Sequence, residues 1–313
     1  MRSDKKNDDR RACSVLEIGV FCAGASLHER MRKLKDNVVL RMKGYHRAKA
    51  SDEAAFERIA KLLPEIRHYE KSTQMDLLRR RALLSGFRDL EDYHEGLLTD
   101  AKELAELREN LTLMGSHFFR GTVWPELEKI CRERLSGKDK VRVWCAGCSN
   151  GKEVYSILMT LLELMPSERI ELLATDYNCE ALKRCREGSY PLRTLKEIPG
   201  RHRGYVSVYR ASAAEDYAYR YQFRFRDSIR RMISTERLDL LKDAYPGGFD
   251  FILCRNVIKF FDPAVRVKIQ QRLAESLGKD AFLVLSEEEA ETIAHPEEMG
   301  LERHNDTCIY LKK

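Results

Sequence analysis

The segment Val141 to Leu162, VRVWCAGCSNGKEVYSILMTLL, constrains the fold most. Val141, Val143 and Trp144 supply a hydrophobic strand. Ala146-Gly147-Cys148-Ser149-Asn150-Gly151 forms a small-residue turn, and Val154, Ile157, Leu158 and Leu161 make the apolar stripe of a helix. A glycine turn of this kind lets backbone N–H groups approach a ligand, and open α/β sheets bind ligands beyond the carboxyl ends of their strands. Tight strand–helix packing would call for the same glycines, so this unit alone leaves both readings open.

Ile170 to Thr175 reads as a second strand ending at Asp176, about one βαβ unit downstream, where a carboxylate can accept hydrogen bonds from both hydroxyls of a ribose. No phosphate-loop Lys-Ser/Thr follows the first turn, which favours a nucleoside without a bound triphosphate. Phe249 to Cys254 reads as a third strand and ends in Arg255-Asn256-Val257. Glu180 to Arg186 begins a helix that Gly188-Ser189-Tyr190-Pro191 breaks. Tyr205 to Tyr209 and Tyr219 to Phe225 alternate aromatic residues in the manner of strands, and they interrupt the βαβ rhythm as an inserted antiparallel hairpin would. Phe282 to Leu285 and Thr307 to Leu311 are the candidates for the last two strands.

Upstream, Ala54 to Leu63 is helical and stops at Pro64. A helical pattern resumes from Met75 through Leu111, and Trp124 to Leu135 connects to the first strand. For 313 residues with 43% hydrophobic content, two domains are expected. They are a helical domain over 51–135 and a cofactor domain over 136–313 with its β-insertion at about 200–230. Residues 1–50 form an extension of unknown role, with a polar start, an apolar run from Leu16 to Gly24 and a basic stretch from Leu27 to Tyr45. The net charge of +6 is uneven: Arg79, Arg80, Arg81 and Arg88 cluster on one predicted helix and its flank. Such a helix faces an anionic partner or is a solvated face. Nine cysteines show no disulfide-like regularity, and no signal peptide or apolar run of membrane-spanning length is visible, which suits a reduced, cytoplasmic protein without membrane insertion. Cys145 and Cys148 form a CxxC, but no second pair or histidine stands at zinc spacing, so no metal is expected.

WCAGCSNGKEVYS, LLATDYN, FDFILCRNVIKFFD and, upstream, SHFFR together resemble the CheR-type chemotaxis receptor methyltransferases, over roughly Asp76 to the C-terminus. The resemblance implies a Rossmann-like class I methyltransferase sheet with an N-terminal helical domain and a small inserted antiparallel β-subdomain. It implies S-adenosylmethionine as cofactor, S-adenosylhomocysteine as its product, and methyl transfer to glutamate side chains of the chemoreceptor cytoplasmic domain. The receptor's methylation region would meet the helix around Arg79 to Arg88. In some members the β-subdomain grips a peptide at the receptor tail. No nucleic-acid partner is implied.

Carried over residue by residue, Glu153 matches the second acid of the family's GEE and is placed to bind the cofactor's amino-acid end; an acid in a helix's first turn also stabilises the helix dipole. Gly147 and Asp176 border the crevice, Asp176 facing the ribose. Asn256 and Val257 match a cofactor-contacting pair. Asp239-Leu240 match an Asn-Leu that meets adenine, with the amide donor lost. Ser116 keeps the hydroxyl of a family threonine, and the resemblance implies that both Ser116 and Arg120 are among the cofactor-binding residues. Arg120 matches an arginine lining the active site, where a buried guanidinium could hold the substrate carboxylate by paired hydrogen bonds; an interdomain ion pair is its structural alternative. Phe118 and Phe119 read as core. Departures from the family are Met114 for an asparagine, Lys152 for the first acid of GEE, Val154 for a proline, and Lys259-Phe260 for Ile-Tyr. A glutamate carboxylate is already ionised at neutral pH, so few catalytic acids or bases are expected. The protein's task is to hold that oxygen about 3 Å from the methyl group, in line and away from water. Two alternatives stand beside this: a catalytically weak S-adenosylmethionine-binding docking or regulatory module, suggested by Met114 and Phe260, and a methyltransferase of another substrate, suggested by the positive charge.

Overall fold

The computed structural model describes residues 50–109, 111, 116–210 and 221–313. The N-terminal extension, Met114 and Tyr219 lie outside the described residues. Helix α1 (Ala50–Leu62) ends just before Pro64, which has no N–H for the helical ladder, and the chain continues as a 3₁₀ turn over Pro64–His68. Glu70 caps α2 (Lys71–Leu84) by accepting the Thr73 N–H at 2.8 Å, and Asp89 caps α3 (Leu90–Thr99) through the Asp92 N–H at 2.9 Å. Helix α4 (Ala101–Glu109) follows. Ile59, Leu63, Leu78, Leu90, Tyr93 and Leu107 bury together as a core of their own.

The arginine cluster is not one basic face. Arg79 is 8% exposed and donates through Nη2 to Asp52 at 2.9 Å and through Nη1 to Asp76 at 3.2 Å. Arg81 grips Glu103 with bonds of 2.8 and 3.1 Å. These two arginines tie α2 to α1 and α4, while Arg80 and Arg88 are exposed. Consecutive helical residues point about 100° apart, so three arginines in a row cannot share a face.

Helix α5 (Trp124–Leu135), expected at the end of the helical domain, packs elsewhere. Trp124, Leu127, Ile130, Cys131 and Leu135 are buried in the core of the sheet, because the apolar stripe of α5 matches that face. The sheet begins with β1 (Val141–Ala146), α6 (Lys152–Leu162), β2 (Ile170–Asp176) and α7 (Cys179–Glu187). Then come β3 (Ser189–Pro191), β4 (Val206–Arg210) and β5 (Tyr221–Phe225), a separate antiparallel sheet ordered β3-β5-β4 that reaches back to Ser189, ahead of the expected hairpin. The main sheet resumes with β6 (Ile233–Arg237), β7 (Phe249–Leu253), α8 (Pro263–Ser276), β8 (Leu277–Val284), α9 (Glu287–Ala290), β9 (Leu301–Arg303) and β10 (Ile309–Lys312). Its order is β6-β2-β1-β7-β8-β10-β9. Strands β6, β2, β1, β7 and β8 are parallel, and β10 is antiparallel to both β8 and β9.

Phe249–Leu253 is therefore the fourth core strand, not the third. Strand β6 escapes sequence reading because it is an edge strand whose buried residue is Ile233, with Glu236 and Arg237 exposed, so no apolar alternation marks it. Strand order reverses between β1 and β7, which opens a crevice at their carboxyl ends. Trp144 is fully buried in β1 and donates its Nε1–H to Thr175 Oγ1 at 2.9 Å, so its one polar atom is satisfied. The small sheet is fastened by aromatic contacts: Tyr155 of α6 lies on Phe225 with centroids 3.9 Å apart, and Phe118, ahead of α5, meets Tyr190 edge-on at 5.1 Å. Each such buried ring contributes roughly 1.5–3 kcal/mol. Among the described residues, no helix is long and apolar enough to cross a membrane.

Candidate active site

The β1–α6 turn is held by its neighbours on every side. Gly147 adopts φ +70°, and a Cβ there would lie 2.5 Å from Val257 Cγ2; Gly151 adopts φ +85°, and a Cβ there would meet Cys185 Sγ at 2.5 Å. Both conformation and space demand glycine. Cys148 donates its N–H to Thr175 O at 2.8 Å, and Ser149 donates its N–H to Asp176 Oδ2 at 2.7 Å. Asp176 Oδ1 accepts the Asn178 N–H at 2.9 Å. Asp176 thus braces the turn besides bordering the crevice. Burial pushes its carboxyl above the usual range, opposed by the N–H groups of Asn178, Ser149 and Tyr177.

A cleft of about 1120 Å³, part of it open to solvent, occupies the crevice. The structure brings all nine sequence candidates to its wall: Ser116 and Arg120 from the segment before α5, Gly147 and Glu153 from the turn and α6, and Asp176 from the end of β2. Asp239 and Leu240 follow β6, and Asn256 and Val257 follow β7. Sequence reasoning missed Tyr69, Thr73 and Gln74 from the helical domain, and Tyr177 beside Asp176. Only pairing across the fold brings the first three here, and no local pattern announces it.

Arg255 organises the centre. Its side chain is 1% exposed, forms an ion pair with Glu153, and donates to Leu285 O at 3.2 Å and Arg120 O at 3.0 Å. Trp124 Nε1 donates to the same Arg120 carbonyl at 3.0 Å. Burial pushes the Glu153 carboxyl upward, opposed by the charges of Arg255 and Arg120. Arg120 itself is exposed at the cleft wall, contrary to the buried guanidinium expected, so water must be displaced by whatever binds. Ser116 Oγ donates to Asn150 Oδ1 at 2.6 Å and accepts the Lys152 N–H at 3.3 Å, which fixes the start of that segment on the turn.

The departures have local accounts. Asp239 Oδ1 accepts the Leu241 N–H at 2.9 Å, an Asx-type turn that aspartate closes as well as asparagine. Lys152 is buried beside the Phe118 ring, 3.8 Å from Glu197, and desolvation lowers its pKa against the pull of Glu197. Phe260 stands at the cleft wall. A further residue that sequence did not suggest is Glu289. It is 0% exposed, and its carboxylate accepts the N–H groups of Asn256 at 2.9 Å, Val257 at 2.7 Å and Lys259 at 3.2 Å. This holds Asn256 at φ +59°.

A sheet parallel except for its β10–β9 end, with a glycine turn after β1 and an acid ending β2, defines a class I methyltransferase. Residues 115–304 match the family model described as CheR methyltransferase, SAM binding domain. The chemotaxis protein methyltransferase of Listeria monocytogenes is 34% identical over 224 residues, covering 71% of this chain and 81% of that protein. That of Borreliella burgdorferi is 29% identical, covering 66% and 75%. The chain belongs to the CheR methyltransferase family, and it is an S-adenosylmethionine-dependent methyltransferase of chemotaxis.

The cleft fits that cofactor. Glu153, Asp176 and Asp239 offer three carboxylates to a molecule carrying sulfonium and ammonium charges, and Gly147 leaves the turn without a side chain beside Val257. We propose that Asp176 holds the ribose hydroxyls, Glu153 the ammonium, and Asp239-Leu240 with Asn256-Val257 the adenine and amino-acid ends. Asp176→Ala is expected to weaken S-adenosylhomocysteine binding by roughly 1.5–3 kcal/mol, the loss of a charged acceptor. Unchanged affinity in calorimetry would discard the ribose assignment.

Proposed function

We propose that the protein methylates glutamate side-chain carboxylates of the chemoreceptor cytoplasmic domain, in the cytoplasm. The observation that carries this reading is Arg120 at the cleft wall, a planar donor fork matched to a carboxylate. When bound, the cofactor supplies an electrophilic methyl group. The chain's own work is then positional: Arg255 fixes the Arg120 backbone and Glu153, Asp176 braces the glycine turn, and Arg120 orients the incoming carboxylate. The test is labelled-methyl transfer to a receptor cytoplasmic fragment, followed by alkaline release of methanol from the ester. Cofactor binding without ester formation would favour the docking-module reading instead.

For receptor docking, the exposed members of the arginine group are Arg80 and Arg88, the latter paired with Asp92. Arg80→Glu with Arg88→Glu is expected to slow association at low salt and flatten its salt dependence, with cofactor affinity intact. Wild-type methylation rates at low salt would remove this face from the docking model.

A further inference from the structure

Arg120 ends a segment that is clamped from two sides. On one side lies the small sheet with the two 3₁₀ turns that lead from β3 to β4, Leu192–Glu197 and Gly200–Tyr205; on the other lies the start of α6. Glu197 Oε2 accepts the Phe118 N–H at 3.0 Å, and it stands 3.8 Å from Lys152 Nζ and 3.5 Å from His117 Nδ1. The buried Phe118 ring packs on Phe223 and on Phe225 with centroids 5.9 Å away in each case. Phe119 donates its N–H to Ser156 Oγ at 3.0 Å. Its ring stacks on the buried His202 with centroids 5.1 Å apart and 9° between the planes, and Trp124 meets the same ring at 4.9 Å. Phe119 adopts φ +48°. The left-handed region disfavours a residue with a side chain, so such a conformation persists only where its surroundings impose it. Glu197 and His202 impose it from the insertion, and Ser156 from α6. The kink turns the chain between the buried Phe118 and the exposed Arg120.

We propose that Glu197 is a positioning residue for methyl transfer: from the inserted subdomain it holds the Phe118–Phe119 kink that aims the Arg120 side chain into the cleft. This deepens the reading of Arg120 given above and rests on it. The Arg120 carbonyl is anchored by Trp124 and Arg255, so the amide side of the residue is the part the insertion controls. Lys152, 7% exposed, supplies a countercharge that keeps the Glu197 carboxylate against the segment. A shift at the kink would swing the guanidinium, whereas Glu153 and Asp176 are held by other partners. Misplacement of an orienting group lowers turnover without a matching loss of cofactor binding.

Two conservative variants separate reach from charge. Glu197→Asp keeps the charge but is one methylene too short to hold the Phe118 amide, and Glu197→Gln keeps an oxygen at that amide while losing the charge. With a receptor cytoplasmic fragment, Glu197→Asp is expected to lower kcat about tenfold, with S-adenosylhomocysteine affinity unchanged in calorimetry. Glu197→Gln should rescue most of that loss, to within about threefold of wild type. Hydrogen exchange at residues 118–120 should quicken in Glu197→Asp and not in Glu197→Gln, a reading independent of turnover. In an Arg120→Lys background, Glu197→Asp should lower kcat by less than about twofold further, because the group it positions has gone. Wild-type kcat in Glu197→Asp, or a full additional loss in the Arg120→Lys background, would overturn the proposal. Equal losses in Glu197→Asp and Glu197→Gln would also overturn it, since Glu197 would then act through its charge. Wild-type turnover in Arg120→Lys alone would overturn the Arg120 reading itself, a failure distinct from that of Glu197.

Discussion

Arg120→Lys is expected to keep the fold and cofactor affinity near wild type yet lose roughly ten- to a thousandfold in turnover, about 1.4–4 kcal/mol of orientation and electrostatic stabilisation. The backbone of Arg120 is fixed through its carbonyl, which accepts from both Trp124 Nε1 and Arg255 Nη1, so the side chain can change without moving the segment. The Arg120 charge reaches Glu153, but the Glu153 carboxylate is already paired with Arg255. That leaves the guanidinium at the cleft wall for an arriving carboxylate. Lysine retains the charge and loses the planar fork, so the substrate oxygen would be attracted without being aimed. The measurements are kcat with a receptor fragment, calorimetric affinity for S-adenosylhomocysteine, and melting temperature. Wild-type turnover, or a fall in turnover matched by a fall in melting temperature, would return Arg120 to a structural role.

The legible parts of this molecule are those where chemistry and periodicity coincide. The β1–α6 unit declared itself because its apolar strand, glycines and helical stripe are contiguous, and Asp176 followed from the next strand end. Strand β6 was silent because an edge strand with one buried residue has no alternation to read. The arginine run misled for a related reason: adjacent letters suggested one surface, while helix geometry sent Arg79 and Arg81 into ion pairs with Asp52 and Glu103. At the site, residues inside recognisable motifs were found, Ser116 and Arg120 among them, while Tyr177 beside Asp176 and the residues delivered by tertiary contact were missed. Tyr69 reaches the cleft by pairing with a segment nearly two hundred positions away, and Glu289 acts on backbone groups more than thirty positions before it. Neither presents a motif, because a backbone amide gives no residue-type signature to its acceptor.

Glu289 carries the second large effect. Its buried carboxylate accepts five donors: the N–H groups of Asn256, Val257, Lys259 and Ser286, and the Ser286 hydroxyl. It also forms a capping box with Ser286 at α9, so one side chain joins the helix start to the loop that lines the cleft. Each buried donor left without an acceptor costs about 1–3 kcal/mol, and Asn256 is held in a left-handed conformation that the loop would otherwise relax. Glu289→Gln keeps the volume but replaces one acceptor oxygen with an amide donor pointing at other donors. The expected outcome is a lowered melting temperature together with at least a tenfold weaker affinity for S-adenosylhomocysteine, about 1.4 kcal/mol or more. Hydrogen exchange should quicken at residues 256–259 ahead of the core strands. A purely structural role would lower the melting temperature and leave affinity alone in the folded protein. If calorimetry on folded Glu289→Gln returned wild-type affinity, the placement of Asn256 and Val257 would not depend on this carboxylate, and their part in holding the cofactor would need another support.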